Sequence, residues 1–194
     1  VGTTLCLPLL NVSLTATVDG TIAHVELVQT FDNRSDAIID TANHILPLYD
    51  RAVIASFECT IGDERRVMGL VKPRAQARQE FDEAVRDRVK APAILEEHTP
   101  EIFETSLGNV PAKTTVEIKI TYVQELKVVI METEATEGIA LTIPLSIAPR
   151  YGESLVPRDT ASKLREEKLD IWVRLVNDCG VNHEGCQAES CHRI

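Results

Sequence analysis

The chain has 194 residues, of which 44% are hydrophobic and only 4% aromatic, so one sizeable and mainly aliphatic core is expected. Its net charge is −10 and its sequence pI is about 5.0, which argues against a nucleic-acid or membrane partner, because nucleic acids and anionic membranes usually require a basic face. No apolar run approaches the ~20 residues of a membrane-spanning helix. No basic start with an apolar core marks a signal peptide, which favours a cytoplasmic over a secreted setting.

The first part of the chain has the pattern of consecutive β-strands. Leu10 to Val18 alternates strictly between apolar and polar residues, and Asp19-Gly20 is a strong hairpin signal before a return strand from Ile22 to Phe31. The same alternation predicts three more strands, at Thr41 to Tyr49, Val53 to Ile61 and Arg65 to Val71. In the second of these, the odd-numbered residues from Val53 to Ile61 are expected to share one face.

One amphipathic helix is predicted around residues 73–89. Pro73 suits the first helical turn, and Ala91-Pro92 ends the helix because the residue before a proline resists the α conformation. Apolar residues at three- and four-residue spacing form one face, with Phe81 near its centre. Mixed charges cover the remaining surface, which indicates a solvated face rather than a binding patch. The helix is therefore expected to close the fold, with Phe81 in the core.

Strand patterns return after the helix. Ala93 to His98 and Ile102 to Leu107 are predicted strands, and Gly108-Asn109-Val110-Pro111 is predicted as a turn in which Gly108 and Asn109 adopt an unusual φ. Three later strands follow, at Thr115 to Val123 with Tyr122 facing inward, at Val128 to Met131, and at Ile139 to Ile147 beyond an acidic turn. The predicted fold is mainly β: an antiparallel β-sandwich, or a barrel-like sheet, with one helix.

The residues that could form a metal or catalytic site also have simpler structural explanations. Five residues near the C-terminus are zinc-type ligands, but the spacing Cys-x6-Cys-x4-Cys is not that of a structural zinc site: Cys179, His183, Cys186, Cys191 and His192. Incidental thiols, or one disulfide joining Cys179 to Cys186 or Cys186 to Cys191, are favoured over a metal site. No cofactor site is predicted.

Two further motifs also have simpler explanations than a functional site. Glu96-Glu97-His98 lies at a strand end, where a solvated acidic run is favoured over an acid–base site. The tripeptides beginning at Asn11 and Asn33 match the glycosylation sequon, but chance matches are favoured because nothing in the sequence indicates a secretory context. Trp172 is expected to cover core or an interface.

Several blocks resemble the VIT (vault protein inter-alpha-trypsin) domain, in order and in spacing. Residues 52–63, the helix residues around Phe81, Gly108 to Pro111, residues 122–126 and residues 148–152 all match parts of that family's pattern. The resemblance covers roughly residues 5–152 and implies a VIT domain over 1–152. Residues 153–194 are expected to form a polar linker, one more strand at 169–176 and a truncated tail that leads to a missing domain.

The resemblance implies a mostly-β module that usually precedes a von Willebrand factor A domain and has no established catalytic activity. We therefore expect a non-catalytic scaffold that binds protein partners, including an adjacent A domain of the same chain. The alternative is a fragment of a secreted, matrix-associated protein of the inter-alpha-trypsin inhibitor heavy-chain type. An enzyme is disfavoured, since the sequence offers no nucleophile–base constellation. An unpaired sheet edge at the C-terminal strand would also allow dimerisation.

Overall fold

A computed structural model describes residues 9–48, 52–62, 65–89, 92–99, 102–131, 136–143 and 168–176. These ranges contain eleven strands and one helix, in the following order: β1 (Leu9–Asp19), β2 (Ile22–Asn33), β3 (Ile39–Pro47), β4 (Val53–Ile61), β5 (Arg65–Met68), α1 (Arg74–Arg86), β6 (Ala93–Thr99), β7 (Ile102–Val110), β8 (Thr114–Glu125), β9 (Lys127–Met131), β10 (Thr136–Ala140) and β11 (Lys168–Val176). Among the described residues, no helix is long and apolar enough to cross a membrane.

The strands form one large sheet, one small sheet and a hairpin. The large sheet has six strands in the order β11-β1-β2-β8-β4-β5, the small sheet has three in the order β3-β7-β6, and β9 pairs with β10. All of these pairs are antiparallel except β1 with β11, which is parallel. The predicted mainly β, antiparallel sandwich-like fold is confirmed, and the described strands do not close into a barrel.

The core lies between the large and the small sheet. Alternating residues of β2 and β8 point into it, and Ile118, Ile120 and Ala23 have no exposed surface. Ile39, Leu107 and Val110 reach the same cluster from the small sheet. Alternation predicted the inward face of β8 correctly, including Tyr122, which is 3% exposed.

The predicted common face of β4 is wrong in its first half. Phe57, Cys59 and Ile61 are buried as expected, but Val53 is 66% exposed and Ile54 packs against the core instead. The cause is an irregularity in the β4–β8 register between Ile54 and Ser56. One extra residue at this point reverses the side to which every earlier side chain of the strand points.

Helix α1 forms a third layer on the face of the small sheet that points away from the core. Phe81 is the buried residue of the helix, at 6% exposure, and the helix contacts β6 and β7. The sequence predicted the helix and the burial of Phe81, and both are confirmed. Phe81 lies outside the main core cluster, however, so it anchors the helix to the small sheet rather than filling the sandwich.

The predicted turn at Gly108–Pro111 is mostly strand. β7 continues to Val110, and the chain turns at Pro111 to Lys113. Asn109 does adopt a positive φ of 48°, as predicted, whereas Gly108 does not. Gly108 is required for a different reason: a Cβ there would collide with Val85 Cγ2 of α1 and lie 3.0 Å from Pro92 Cγ. The glycine allows close packing of the helix on the sheet.

Two strand boundaries also differ from the predicted ones. β5 ends at Met68, three residues before the predicted end at Val71. β10 begins at Thr136, three residues before the predicted strand start at Ile139, because Thr136 pairs with Met131.

Candidate interaction surface

The candidate surface is the β11 margin, defined here as Lys168–Val176 at one edge of the large sheet. β11 runs parallel to β1 in unbroken register, from Asn11 opposite Lys168 to Asp19 opposite Val176. Ile171 lies beside Leu14 and Val173 beside Ala16, so these side chains lie on the sheet face that β1 turns toward the core. The predicted strand at 169–176 is therefore present.

The same face is buried on β1 and uncovered on β11. Leu14 is 4% exposed and Ala16 is fully buried, whereas Ile171 is 41% and Val173 54% exposed. The reason is geometric: strands lie about 4.8 Å apart, so a three-stranded sheet cannot cover all six strands of its partner. Within β11, Leu175 is the residue that packs against the core.

The opposite face of β11 also carries an exposed apolar side chain. Trp172 lies beside Thr15 and is 69% exposed, so it does not cover the core. Ile171, Trp172 and Val173 are consecutive, and three consecutive apolar residues in a strand necessarily place apolar groups on both faces. That triplet was the sequence signal for this surface, and counting only one alternating face missed it.

The Glu96 carboxylate binds the helix instead of solvent. Glu96 is 8% exposed and forms ion pairs with Arg78 and, at 3.6 Å, with Arg74. The guanidinium of Arg78 also lies 5.6 Å from the centre of the Phe81 ring, within cation–π range. Glu97, on the other face of the strand, is exposed as predicted. The expectation that this acidic run is simply solvated fails for Glu96, which helps to dock α1 on β6.

Asn109 completes this docking at the other end of the helix. Its Nδ2 donates hydrogen bonds to the carbonyl oxygens of Val85 and Val89, at 2.9 and 3.0 Å. Val85 lies in the last turn of α1, and Val89 lies three residues past its end at Arg86, so Asn109 joins both sides of the helix terminus to β7. Asn109 and Gly108 together fix the position of the C-terminal end of α1.

The two sequon asparagines have different surroundings. Asn33 is 1% exposed, and its Nδ2 donates to the carbonyl oxygens of Ala37, Val110 and Pro111. The nitrogen that would carry a glycan is therefore already used to join the end of β2 to the β7–β8 turn. Asn11 is half-buried between β11 and β2, and its Oδ1 is buried without a hydrogen-bond partner.

A polar pair lies inside the sandwich. Gln29 is 3% exposed, and its Nε2 lies 2.9 Å from Nε2 of His44, whose ring packs edge-on against Phe31. Burial lowers the pKa of His44 from 6.5 to about 4. A neutral imidazole with an unprotonated Nε2 accepts the hydrogen bond from Gln29, which agrees with the direction of this shift.

The thiol of Cys59 lies in the core of the large sheet. Cys59 is fully buried, and burial raises its pKa to about 12, so the thiol is unreactive and packs as a small hydrophobe. The five zinc candidates from Cys179 to His192 lie outside the described residues. Among the described residues, no group of three or more His, Cys, Asp or Glu side chains could hold a metal ion.

A depression with a volume of about 350 Å³ lies at one end of the large sheet. Four threonines, Gly62 and two charged residues, Lys113 and Glu117, line it, and Lys113 forms an ion pair with Asp36.

A profile of the vault protein inter-alpha-trypsin (VIT) domain family matches residues 9–122, which run from the start of β1 to Tyr122 in β8. The chain belongs to the VIT domain family. The matched region includes the whole small sheet, α1 and five strands of the large sheet, and β11 lies beyond it. The VIT resemblance inferred from the sequence blocks is thereby confirmed.

The relatives found are much longer proteins. The human protein mono-ADP-ribosyltransferase PARP4 is 34% identical over 142 residues, or 73% of this chain, and the mouse protein of that name is 37% identical over 121 residues, or 62%. Mouse von Willebrand factor A domain-containing protein 5A is 24% identical over 145 residues, or 74% of this chain. The chain spans only 8%, 6% and 17% of these relatives, respectively, so it corresponds to a module within a larger protein.

Proposed function

We propose that this VIT domain is a non-catalytic scaffold that binds a protein partner through the β11 margin, and that the partner includes a von Willebrand factor A domain of the same polypeptide. The observation that carries the proposal is the exposure of apolar side chains on both faces of β11, where Ile171, Trp172 and Val173 are 41%, 69% and 54% exposed. Contiguous apolar surface of this kind is typical of protein interfaces.

The chemistry of the margin supports a protein rather than a small-molecule ligand. The apolar side chains lie along a strand at a sheet edge, which offers length but no enclosure, whereas small-molecule sites are concave. Lys168 and Asp170 form an ion pair at the start of β11, and Arg174 follows Val173. Charged groups beside an apolar strip resemble the polar rim and apolar centre of a protein interface.

The first experiment is to determine the full-length polypeptide that contains this chain and to purify its A domain separately. We expect the A domain to bind the VIT domain in isothermal titration calorimetry and to protect the amides of β11 from hydrogen exchange. Ile171→Ser combined with Val173→Ser should weaken binding about tenfold or more, since both apolar contacts are lost. A full-length sequence without an A domain would refute the intramolecular part of the proposal.

The matched control is Val128→Ser, which removes a valine of similar exposure, 60%, from the β9–β10 hairpin. It should leave binding unchanged. Equal loss in both variants would mean that binding does not depend on the β11 margin. The non-catalytic part is checked by incubating the chain with NAD and an acceptor protein, where transfer of ADP-ribose by this chain alone would refute it.

A further inference from the structure

The strand β11 at the edge of the large sheet lies beyond residues 9–122, the part of the chain that the VIT profile matches. It pairs in parallel with residues Asn11–Asp19 of β1, which we call the β1 edge. We propose that the β1 edge is a strand-docking site that β11 occupies reversibly, and that residues 168–176 of a second copy of the chain can take its place.

The rest of the domain covers little of β11. Ile171, Trp172 and Val173 are all exposed, and Leu175 is the β11 residue that packs against the core. Ordering a strand of nine residues costs backbone entropy at every residue, and burial of apolar surface normally offsets that cost. Segments with few buried apolar contacts open locally while the rest of a protein stays folded. With one residue packed against the core, β11 is a segment of this kind.

Backbone groups along its whole length link β11 to β1. The register is unbroken from Asn11 opposite Lys168 to Asp19 opposite Val176, and the pairing is parallel. Parallel pairing is slightly weaker per residue than the antiparallel pairing that joins β1 to β2 on its other side. The ion pair between Lys168 and Asp170 lies within β11, so it does not tie the strand to β1. β2 therefore keeps β1 in the sheet when β11 leaves.

One polar atom is enclosed without a partner where β11 meets β1. Asn11 lies between Thr30 of β2 and Lys168 of β11, and among the described residues its Oδ1 is buried without a hydrogen-bond partner. A buried oxygen that lacks a hydrogen bond opposes the arrangement that buries it. When β11 leaves, β1 becomes the edge strand, and the Asn11 side chain can turn toward water. This gain favours opening.

The register determines which segment the β1 edge accepts. Four apolar residues of the occupant lie beside four apolar residues of β1, in these pairs: Leu169 with Val12, Ile171 with Leu14, Val173 with Ala16 and Leu175 with Val18. In strand addition, backbone hydrogen bonds supply affinity and alternate side chains select the partner. Residues 168–176 of a second copy carry the same alternation, so they fit the same register.

Hydrogen exchange of the whole chain, followed residue by residue by NMR, measures the opening. We expect the hydrogen-bonded amides of β11 to exchange at least about a hundredfold faster than those of β2, at a rate that low concentrations of urea leave nearly unchanged. Exchange in β2 should accelerate with urea, because it requires global unfolding. Equal rates and equal urea dependence in the two strands would overturn the proposal, since β11 would then open only when the domain unfolds.

A fluorescein-labelled peptide with the sequence of residues 168–176 tests the site in trans, and fluorescence anisotropy is the readout. Trp172→Pro combined with Val173→Pro should release β11, because successive residues of a strand point their N–H groups to opposite sides and one of the two faces β1. The released edge should bind one peptide. The wild type should bind more weakly by the ratio of closed to open molecules, about a hundredfold if about one molecule in a hundred is open. The peptide with both prolines is the matched control and should not bind.

Leu175→Asp, which removes the core contact of β11, is a second way to release the strand. Slow amide exchange in β2 shows that a variant is still folded. Equal peptide binding by the wild type and a folded variant would overturn the proposal, because the peptide would then bind outside the β1 edge. So would a failure of both folded variants to bind, or loss of the fold in both, which would make β11 essential to the sheet. These measurements use the chain alone, so their outcome is independent of the proposed A-domain contact.

Discussion

The half-buried imidazole of His44 should make the stability of this domain depend on pH. His44 is half-buried, packs against Phe31 and accepts a hydrogen bond from Gln29 in its neutral form. Burial lowers its pKa from 6.5 to about 4, so the unfolded chain binds a proton at this group more readily than the folded one. The stabilisation is complete above pH 6.5 and is lost as the pH falls toward 4.

The size of the effect follows from the shift. Each pKa unit corresponds to about 1.4 kcal/mol, so the full shift corresponds to about 3 kcal/mol. Between pH 7.5 and pH 4.5 we expect this one group to lower the free energy of unfolding by about 2–3 kcal/mol. That is a large share of the 5–15 kcal/mol typical of a folded domain, on the order of a third.

The assay is urea unfolding of the wild type and of His44→Gln at pH 7.5 and pH 4.5. Carboxylates titrate over the same interval, so the quantity of interest is the difference between the two pH values in each protein. His44→Gln should show a smaller loss at low pH than the wild type, by about 2 kcal/mol, even if it is less stable at pH 7.5. His24→Gln, which replaces an exposed imidazole, is the matched control and should behave as the wild type. Equal pH dependence in His44→Gln and the wild type would refute the reasoning.

Three predictions concern the contact between α1 and the small sheet, and urea unfolding checks each. Gly108→Ala should lower the free energy of unfolding by about 1–3 kcal/mol, because its Cβ collides with Val85. Val85→Ala in the same chain should recover part of that loss, and strictly additive effects of the two substitutions would contradict the collision. Glu96→Gln should lower the free energy of unfolding by about 1–2 kcal/mol, whereas Glu97→Gln, at an exposed position, should leave it nearly unchanged. Equal losses in the two variants would contradict a stabilising ion pair at Glu96. Asn109→Ala should lower the free energy of unfolding more than Asn109→Gly does. Both variants lose the side-chain amide, but glycine adopts the positive φ of this position without strain. Equal losses would mean that the positive φ does not contribute to the difference.

The alternation of apolar and polar residues predicted this fold well where each strand has one solvent-exposed and one buried face. β2 and β8 pass through the middle of the large sheet, and strict alternation identified their inward residues correctly. The same reasoning failed for Val53, because a register irregularity is a backbone event that alternation does not reveal. Composition and the single amphipathic helix were sufficient for the fold class, but they did not determine the register.

The errors around the helix have a common physical origin. Gly108-Asn109-Val110-Pro111 has turn residues at turn spacing, yet Gly108 is there because Val85 packs against it from a distant part of the chain. Glu96 was expected in solvent because its partner Arg78 is eighteen residues earlier and becomes a neighbour only after α1 docks. Such residues satisfy tertiary contacts while resembling local signals, so a single sequence does not distinguish the two cases.

The two edges of the large sheet should also differ in self-association. A monomeric β protein usually blocks its sheet edges with charge, and β5 (Arg65–Met68), at the edge opposite β11, carries Arg65 and Arg66. In β11, exposed Ile171 and Val173 lie on the face that β1 buries, so two copies could cover each other's apolar surface there. The isolated chain should therefore form concentration-dependent dimers in sedimentation velocity that Ile171→Ser dissociates and Leu70→Ser does not. An A domain that binds the β11 margin should compete with the dimer, because both would occupy the same side chains. A dimer that persists in the presence of saturating A domain would place the two contacts on different surfaces.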